Sequence, residues 1–196
     1  MEWVTMGEET KRELFQRAQA TNSIKQEFEQ TLPERVERYL QVKPHEIIPN
    51  APFAVPSAEC SLLFRDGHFY ACIALVQAVT EAIVRYACDI DFGKHDKVFE
   101  KNVEKLHTRG FIDEKLRKSL LKIWKKRDDY HHLNSNVKSD RDTLEKLARE
   151  KARLLVEIES EIFKFSFGDN GSIIPKYPKY WKIKGNQVEI FLRLEP

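Results

Sequence analysis

An all-α fold is predicted for this 196-residue chain: a bundle of four or five helices with an N-terminal helical arm and a small C-terminal β-hairpin. Three observations predict it. Apolar residues recur at helical spacing through most of the length. Only seven glycines are present, and 33% charged with 41% hydrophobic residues is the balance of a soluble helical protein rather than a disordered or all-β one. The single proline-rich stretch, Val42 to Ser57, falls between two helical regions and reads as punctuation.

In chain order, Leu14, Phe15, Ala18, Ile24 and Phe28 mark an amphipathic helix from about Met6, which Thr21-Asn22-Ser23 interrupts. Pro33 opens a short second helix through Leu40, since proline is tolerated in a first helical turn. Pro44, Pro49, Pro52 and Pro56 deny helix and regular sheet and mark an extended connector, so residues 1–56 form the arm and its connector. The bundle follows over 57–168. It opens with a helix over Ala58 to Arg65, a break at Asp66-Gly67, and a long helix from His68 to Asp89. The long helix is apolar on nearly all sides apart from Gln77, Glu81 and Arg85, which places it at the centre. A helix over Val98 to His107 stops near Gly110. The next starts at Asp113 and carries Leu116, Leu120, Ile123 and Trp124 on a face that continues to Arg127 and His131. Ser139-x-x-Asp142 reads as a capping box for the last helix, with its stripe of Leu144, Leu147, Ala148, Leu154, Leu155, Ile158 and Ile162. Residues 169–196 form the hairpin appendage, from the alternation of Val188, Ile190, Leu192 and Leu194 after a Gly185-Asn186 turn.

Charge and cysteine usage narrow the function classes. A net charge of +2 from 33 basic and 31 acidic residues excludes the overall basic excess of a dedicated duplex-DNA binder, so any nucleic-acid site is local. Cys60, Cys72 and Cys88 lie in apolar surroundings without CxxC spacing, which predicts free buried thiols in a reducing compartment, the cytoplasm. No secretory leader is expected after Met1-Glu2, and no membrane span, because Gln77, Thr80 and Glu81 interrupt the longest apolar run. His45, His68, His95 and His107 are scattered without ligand spacing, so neither a metal nor another cofactor is expected. Phosphate-loop and nucleophile-elbow motifs are absent. Phe163, Phe165 and Phe167 read as core or dimer contacts. Tyr177, Tyr180 and Trp181 among Lys176, Lys179, Lys182 and Lys184 read as aromatics packed on the bundle, with a single-strand stacking platform as the alternative.

The stretch that carries chemistry is Arg127-Asp128-Asp129-Tyr130-His131-His132-Leu133-Asn134. Here the sequence resembles the HEPN superfamily, whose signature is Arg, a polar residue, three further positions and His; Arg127, Asp128 and His132 match it. The run from Gly67 to Leu75 is similar to the first core helix of many of these proteins, and together the resemblance covers roughly residues 57–166. It implies a metal-independent endoribonuclease that acts as a homodimer, with two copies of the motif in one cleft. The residue types suit that chemistry. A histidine near neutral pKa can take the proton of a ribose 2′-OH or protonate a leaving oxygen, and a guanidinium can clamp the phosphate in two places.

His132 is the proton carrier by the family pattern. His131 is the second candidate, because it shares a helix face with Arg127 whereas residues five apart diverge by about 140°. Lys122, Lys125 and Lys126, with Asn134, are expected to contact flanking RNA. The resemblance further implies a toxin or antiphage defence effector held by a cognate antitoxin or a sensor protein. One departure matters: members controlled by nucleotide transfer carry a tyrosine two residues after the motif histidine, and Asn134 stands there. Two other readings are a non-catalytic bundle of the same family serving dimerisation or ligand binding, and an unrelated helical protein in which Arg127 and His131 merely join a structural network.

Overall fold

The computed structural model describes residues 8–135, 137, 140–185 and 187–193. The chain is mostly helical, 66% of it, with small antiparallel strand pairs. It divides into two compact units, one up to Glu37 and one from Arg38 onward.

The described residues of the first unit form a single helix. α1 spans Glu8–Gln41 without interruption, its last turn belonging to the second unit. The expected break at residues 21–23 and restart at Pro33 do not occur. Thr21 and Thr31 turn their hydroxyls back onto the carbonyls of Arg17 and Glu27 (2.8 and 2.9 Å), so both side chains find partners within the helix. Pro33 removes one ladder hydrogen bond but does not end the helix.

In the second unit the proline-rich stretch is structured rather than a bare connector. β1 (Ile47–Pro49) pairs antiparallel with β6 (Ile190–Leu192), Ile48 opposite Phe191. α2 starts at Ala54, ahead of the expected Ala58, and runs to Arg65; Pro56 lies in its first turn, where its missing N–H has no helical partner to lose. α3 (Phe69–Phe92) ends on Gly93, whose left-handed φ of 74° closes the helix. It packs against α2, α4 (Phe99–Thr108), α5 (Glu114–Trp124), α6 (Arg127–His131) and α7 (Arg141–Ile162), which makes it the central helix. By length and mean hydropathy (1.4) α3 is apolar enough to cross a bilayer, but 56% of that window is buried inside the fold. Cys60, Cys72 and Cys88 are free and buried in this core.

Among the described residues, two helix starts are capped by side chains. Asp113 accepts from the Leu116 amide (2.7 Å) ahead of α5, and Asp140 from the Thr143 amide (2.9 Å) ahead of α7, each worth about 1 kcal/mol. Asp140 therefore takes the role expected of Ser139, which lies outside the described residues.

The C-terminal segment is not a detached hairpin. β2 (Phe165–Phe167) pairs with β3 (Ile173–Pro175), and β4 (Ile183–Lys184) with β5 (Gln187–Val188), the second of these being the expected hairpin; Asn186 of its turn and Leu194 lie outside the described residues. Tyr180 and Trp181 are buried, with the Tyr180 hydroxyl donating to the Phe111 carbonyl (2.7 Å) and Trp181 edge-on to Phe163. Arg193, 7% exposed, donates to both carboxylate oxygens of buried Glu159 on α7 (2.8 and 2.9 Å) and to the Ser57 hydroxyl (2.6 Å). Burial of these three side chains makes the segment part of the core.

Candidate functional site

The motif sits on a helix of its own. The sequence predicts one helix from Asp113 through His131, but α5 stops at Trp124 and α6 restarts at Arg127. Lys125 is extended and Lys126 left-handed (φ 62°), and beyond α6 Leu133 is left-handed as well (φ 52°) with its side chain in solvent. Both are conformations that non-glycine residues seldom adopt, and their cost must be met by neighbours.

The neighbours are identifiable. The carbonyls of Ile123 and Lys125, left over at the end of α5, accept from Gln77 Nε2 on α3 (3.0 and 3.4 Å). Lys151 Nζ on α7 donates to the same two carbonyls, at 3.1 Å for Lys125. Gln77 and Lys151 are 0% and 2% exposed. Burial pulls the Lys151 pKa down from 10.5 to about 8, with Glu150 pulling upward and Lys126 pushing further down. Neither residue was a sequence candidate, although Lys151 carries a legible signal: it falls on the α7 apolar stripe between Ala148 and Leu155. Tyr130 anchors α6 from within, buried against Tyr70, whose hydroxyl donates to the Tyr130 carbonyl (2.8 Å).

So held, α6 brings Arg127 and His131 onto one face, four residues apart. The Arg127 guanidinium lies over the Trp124 ring (5.2 Å to its centroid) and donates through Nη1 to Asp128 Oδ1 (3.2 Å). Its Nε is buried without a hydrogen-bond partner, and so is Nε2 of His131. The His131 pKa is pushed down first by burial and then by the Arg127 charge, against a hydrogen bond to the Ala74 backbone and the carboxylate of Glu81. A neutral imidazole with a free ring nitrogen beside a guanidinium is the outcome.

The remaining candidates are elsewhere. His132 is the exposed residue that terminates α6, and Asp128 points into solvent with 78% of its side chain exposed. Asn134 is exposed and donates through its amide to Asp129 (3.2 Å). Lys122, Lys125 and Lys126 do not join the Arg127–His131 face. Together with Lys146 and Lys151 they line a cavity of about 510 Å³ between the α5–α6 junction and α7, where Lys122 also pairs with Glu150 (2.8 Å). The structure therefore splits the expected site into a guanidinium–imidazole face and a basic cavity, with Lys125 and Lys126 connecting them in sequence.

The aromatic-basic alternative at the C-terminus is not a free platform: Tyr180 and Trp181 are core residues, and Lys179 donates to the Phe111 carbonyl (2.7 Å). Among the described residues no group of three or more histidine, cysteine or carboxylate side chains is placed to hold a metal ion. Compared with known proteins, the chain matches no family model, no curated protein and no solved structure.

Proposed function

We propose that this protein is a metal-independent endoribonuclease of the HEPN type, active as a homodimer in the cytoplasm. The observation that carries the proposal is the pairing on α6 of Arg127 with His131, each keeping one buried nitrogen unpartnered, beside the exposed His132. Polar groups buried without partners call for an explanation, and under this proposal the guanidinium and the imidazole move onto the phosphate and the 2′-OH as substrate enters.

In the reaction, a neutral histidine takes the proton of a ribose 2′-OH as the 2′-oxygen attacks phosphorus. The bond to the 5′-oxygen breaks, and a protonated histidine returns a proton to it. The products are a 2′,3′-cyclic phosphate and a 5′-hydroxyl. Arg127 stabilises the additional charge on the pentacoordinate phosphorus, a role worth a few kcal/mol of barrier. Two motifs in one cleft supply the base and the acid separately. His131 suits the base, being held neutral by burial and by Arg127; His132 suits exchange with solvent. The lysine-lined cavity would take phosphates flanking the scissile one, adding Lys146 and Lys151 to the lysines expected from sequence. A central α3 wrapped by α2, α5 and α7, with the motif between the last two, fits the HEPN arrangement. RNA cleavage of this kind would serve as a toxin or defence effector under an antitoxin or sensor.

A second reading, a non-catalytic bundle for dimerisation or ligand binding, is favoured by the ties of Arg127 to Trp124 and of His131 to Ala74. One experiment separates the two. Labelled single-stranded RNA and tRNA are incubated in EDTA with the protein and with Arg127→Ala, His131→Ala and His132→Ala variants. Cyclic-phosphate products lost in Arg127→Ala and in one histidine variant support the ribonuclease and name its histidine. Absence of cleavage by the unaltered protein, or cleavage indifferent to all three substitutions, selects the binding module.

A further inference from the structure

We infer that α1 is a dimerisation arm whose occupant is the α1 of a second copy, laid antiparallel. Residues 10–30 are exposed without exception, so this length of the helix does not bury an apolar face. Helices depend chiefly on tertiary burial of an apolar face, and a proline inside makes this one more dependent on it. The face exists. Ile24, Phe28, Leu32 and Val36 follow at four-residue intervals, and Leu14 and Ala18 extend the same side toward the N-terminus. Of these Ile24 is 66% exposed, and Phe28, Leu32 and Val36 are each more than 40% exposed.

Charge chooses the occupant and its direction. Residues 11–25 carry Lys11, Arg12, Arg17 and Lys25 against the single acid Glu13. Residues 27–37 carry Glu27, Glu29, Glu34 and Glu37 against the single base Arg35, which lies over the Phe28 ring of its own helix (4.8 Å). A second copy side by side in the same direction sets like charges against like. Reversed, it sets the basic half of each arm against the acidic half of the other, and the apolar stripe meets itself across a dyad near the middle. The arm lies outside the part of the chain that resembles HEPN proteins, and its pairing does not depend on the ribonuclease reading.

Spin-label distances on the full-length protein test this. The three native cysteines are buried, so a nitroxide thiol reagent is directed to a Ser23→Cys or a Gln16→Cys variant, both at exposed positions on one line of the helix. In an antiparallel pair each residue away from the dyad adds about 3 Å of axial separation, twice the helical rise. Both labels stand on the side of the helix away from the apolar stripe, so the expected result is the shorter label-to-label distance at residue 23 and one longer by roughly 10 Å at residue 16. Adding Phe28→Glu and Leu32→Glu should abolish both. Equal distances at the two positions mean parallel arms and overturn the inference. So does the absence of any such distance at residue 23, whatever the oligomeric state, or its persistence in the Glu variant.

Discussion

Two arginine clusters of the second unit are built to opposite standards. Arg193 reaches Glu159 with two hydrogen bonds and Ser57 with a third, all three residues within the core, and leaves only its Nε without a partner. Arg127 has one bond to a carboxylate that is itself in solvent, an unpaired Nε, and a neighbouring imidazole with an unpaired nitrogen. The first cluster is closed and ties the C-terminal segment to α2 and α7. The second is open on one side. The proposed roles would account for the difference: an arginine that holds a fold together is met on its charged side by fixed carboxylate oxygens, whereas one proposed to clamp a phosphate has to exchange its partner for substrate.

The largest effect that can break this comparison is on stability. Glu159→Ala leaves the Arg193 charge buried without its counter-ion and is expected to cost about 3–5 kcal/mol by urea denaturation. A cost below about 1 kcal/mol would put the two clusters in the same class. Next, Arg127→Ala should change stability by less than about 1 kcal/mol, because its ion pair is solvent-exposed. In the same variant RNA cleavage should fall by about 10²–10³. A variant that unfolds as readily as Glu159→Ala would make Arg127 a structural residue.

The α5–α6 junction gives a third test. Lys151 has a folded pKa of about 8 against 10.5 unfolded, so between these values the unfolded chain binds more protons and stability from this group rises with pH. The cost is complete below pH 8 and gone above 10.5. Buried Tyr86, Tyr180 and the cysteines, all with raised pKa values, work the other way at alkaline pH. The difference between the unaltered protein and Lys151→Met therefore isolates the lysine. It should favour the unaltered protein by up to about 3 kcal/mol more at pH 10.5 than at pH 8. A flat difference would show the amine to be solvated. The smallest effect is at His131, whose imidazole should titrate below 6.5 by NMR and move upward in Arg127→Ala as the repelling cation is lost. No movement would separate the two side chains and leave His132 as the base.

Much of this was legible in the sequence where the physics is local. Leu116, Leu120 and Ile123 of α5 and Ala148, Leu155, Ile158 and Ile162 of α7 are buried as their periodicity predicts, and the free buried thiols follow from their apolar settings, whereas Gln77, read as part of the polar stripe of α3, is buried as well. Arg127 and His131 share a face because they are four residues apart. The break at Lys125–Lys126 was not legible, since both lysines favour helix and nothing adjacent opposes it. Its cause lies in Gln77 and Lys151, 48 and 26 residues from Lys125. The proline-rich stretch was misread for a similar reason: a three-residue strand has no identity until Phe191 comes to lie opposite Ile48.

The sequence by itself determined which segments coil and which faces they bury, because those depend on spacing within a turn or two of helix. It also determined that an arginine and a histidine stand together near the end of a helix. Only the tertiary structure decided that this helix is severed from α5, that the neighbouring lysines turn into a cavity against α7 instead of joining Arg127, and that Arg193 becomes a core residue. Each of these rests on a buried polar group finding its partner across the chain, and the cost of leaving such a group unpaired outweighs what any local preference can supply.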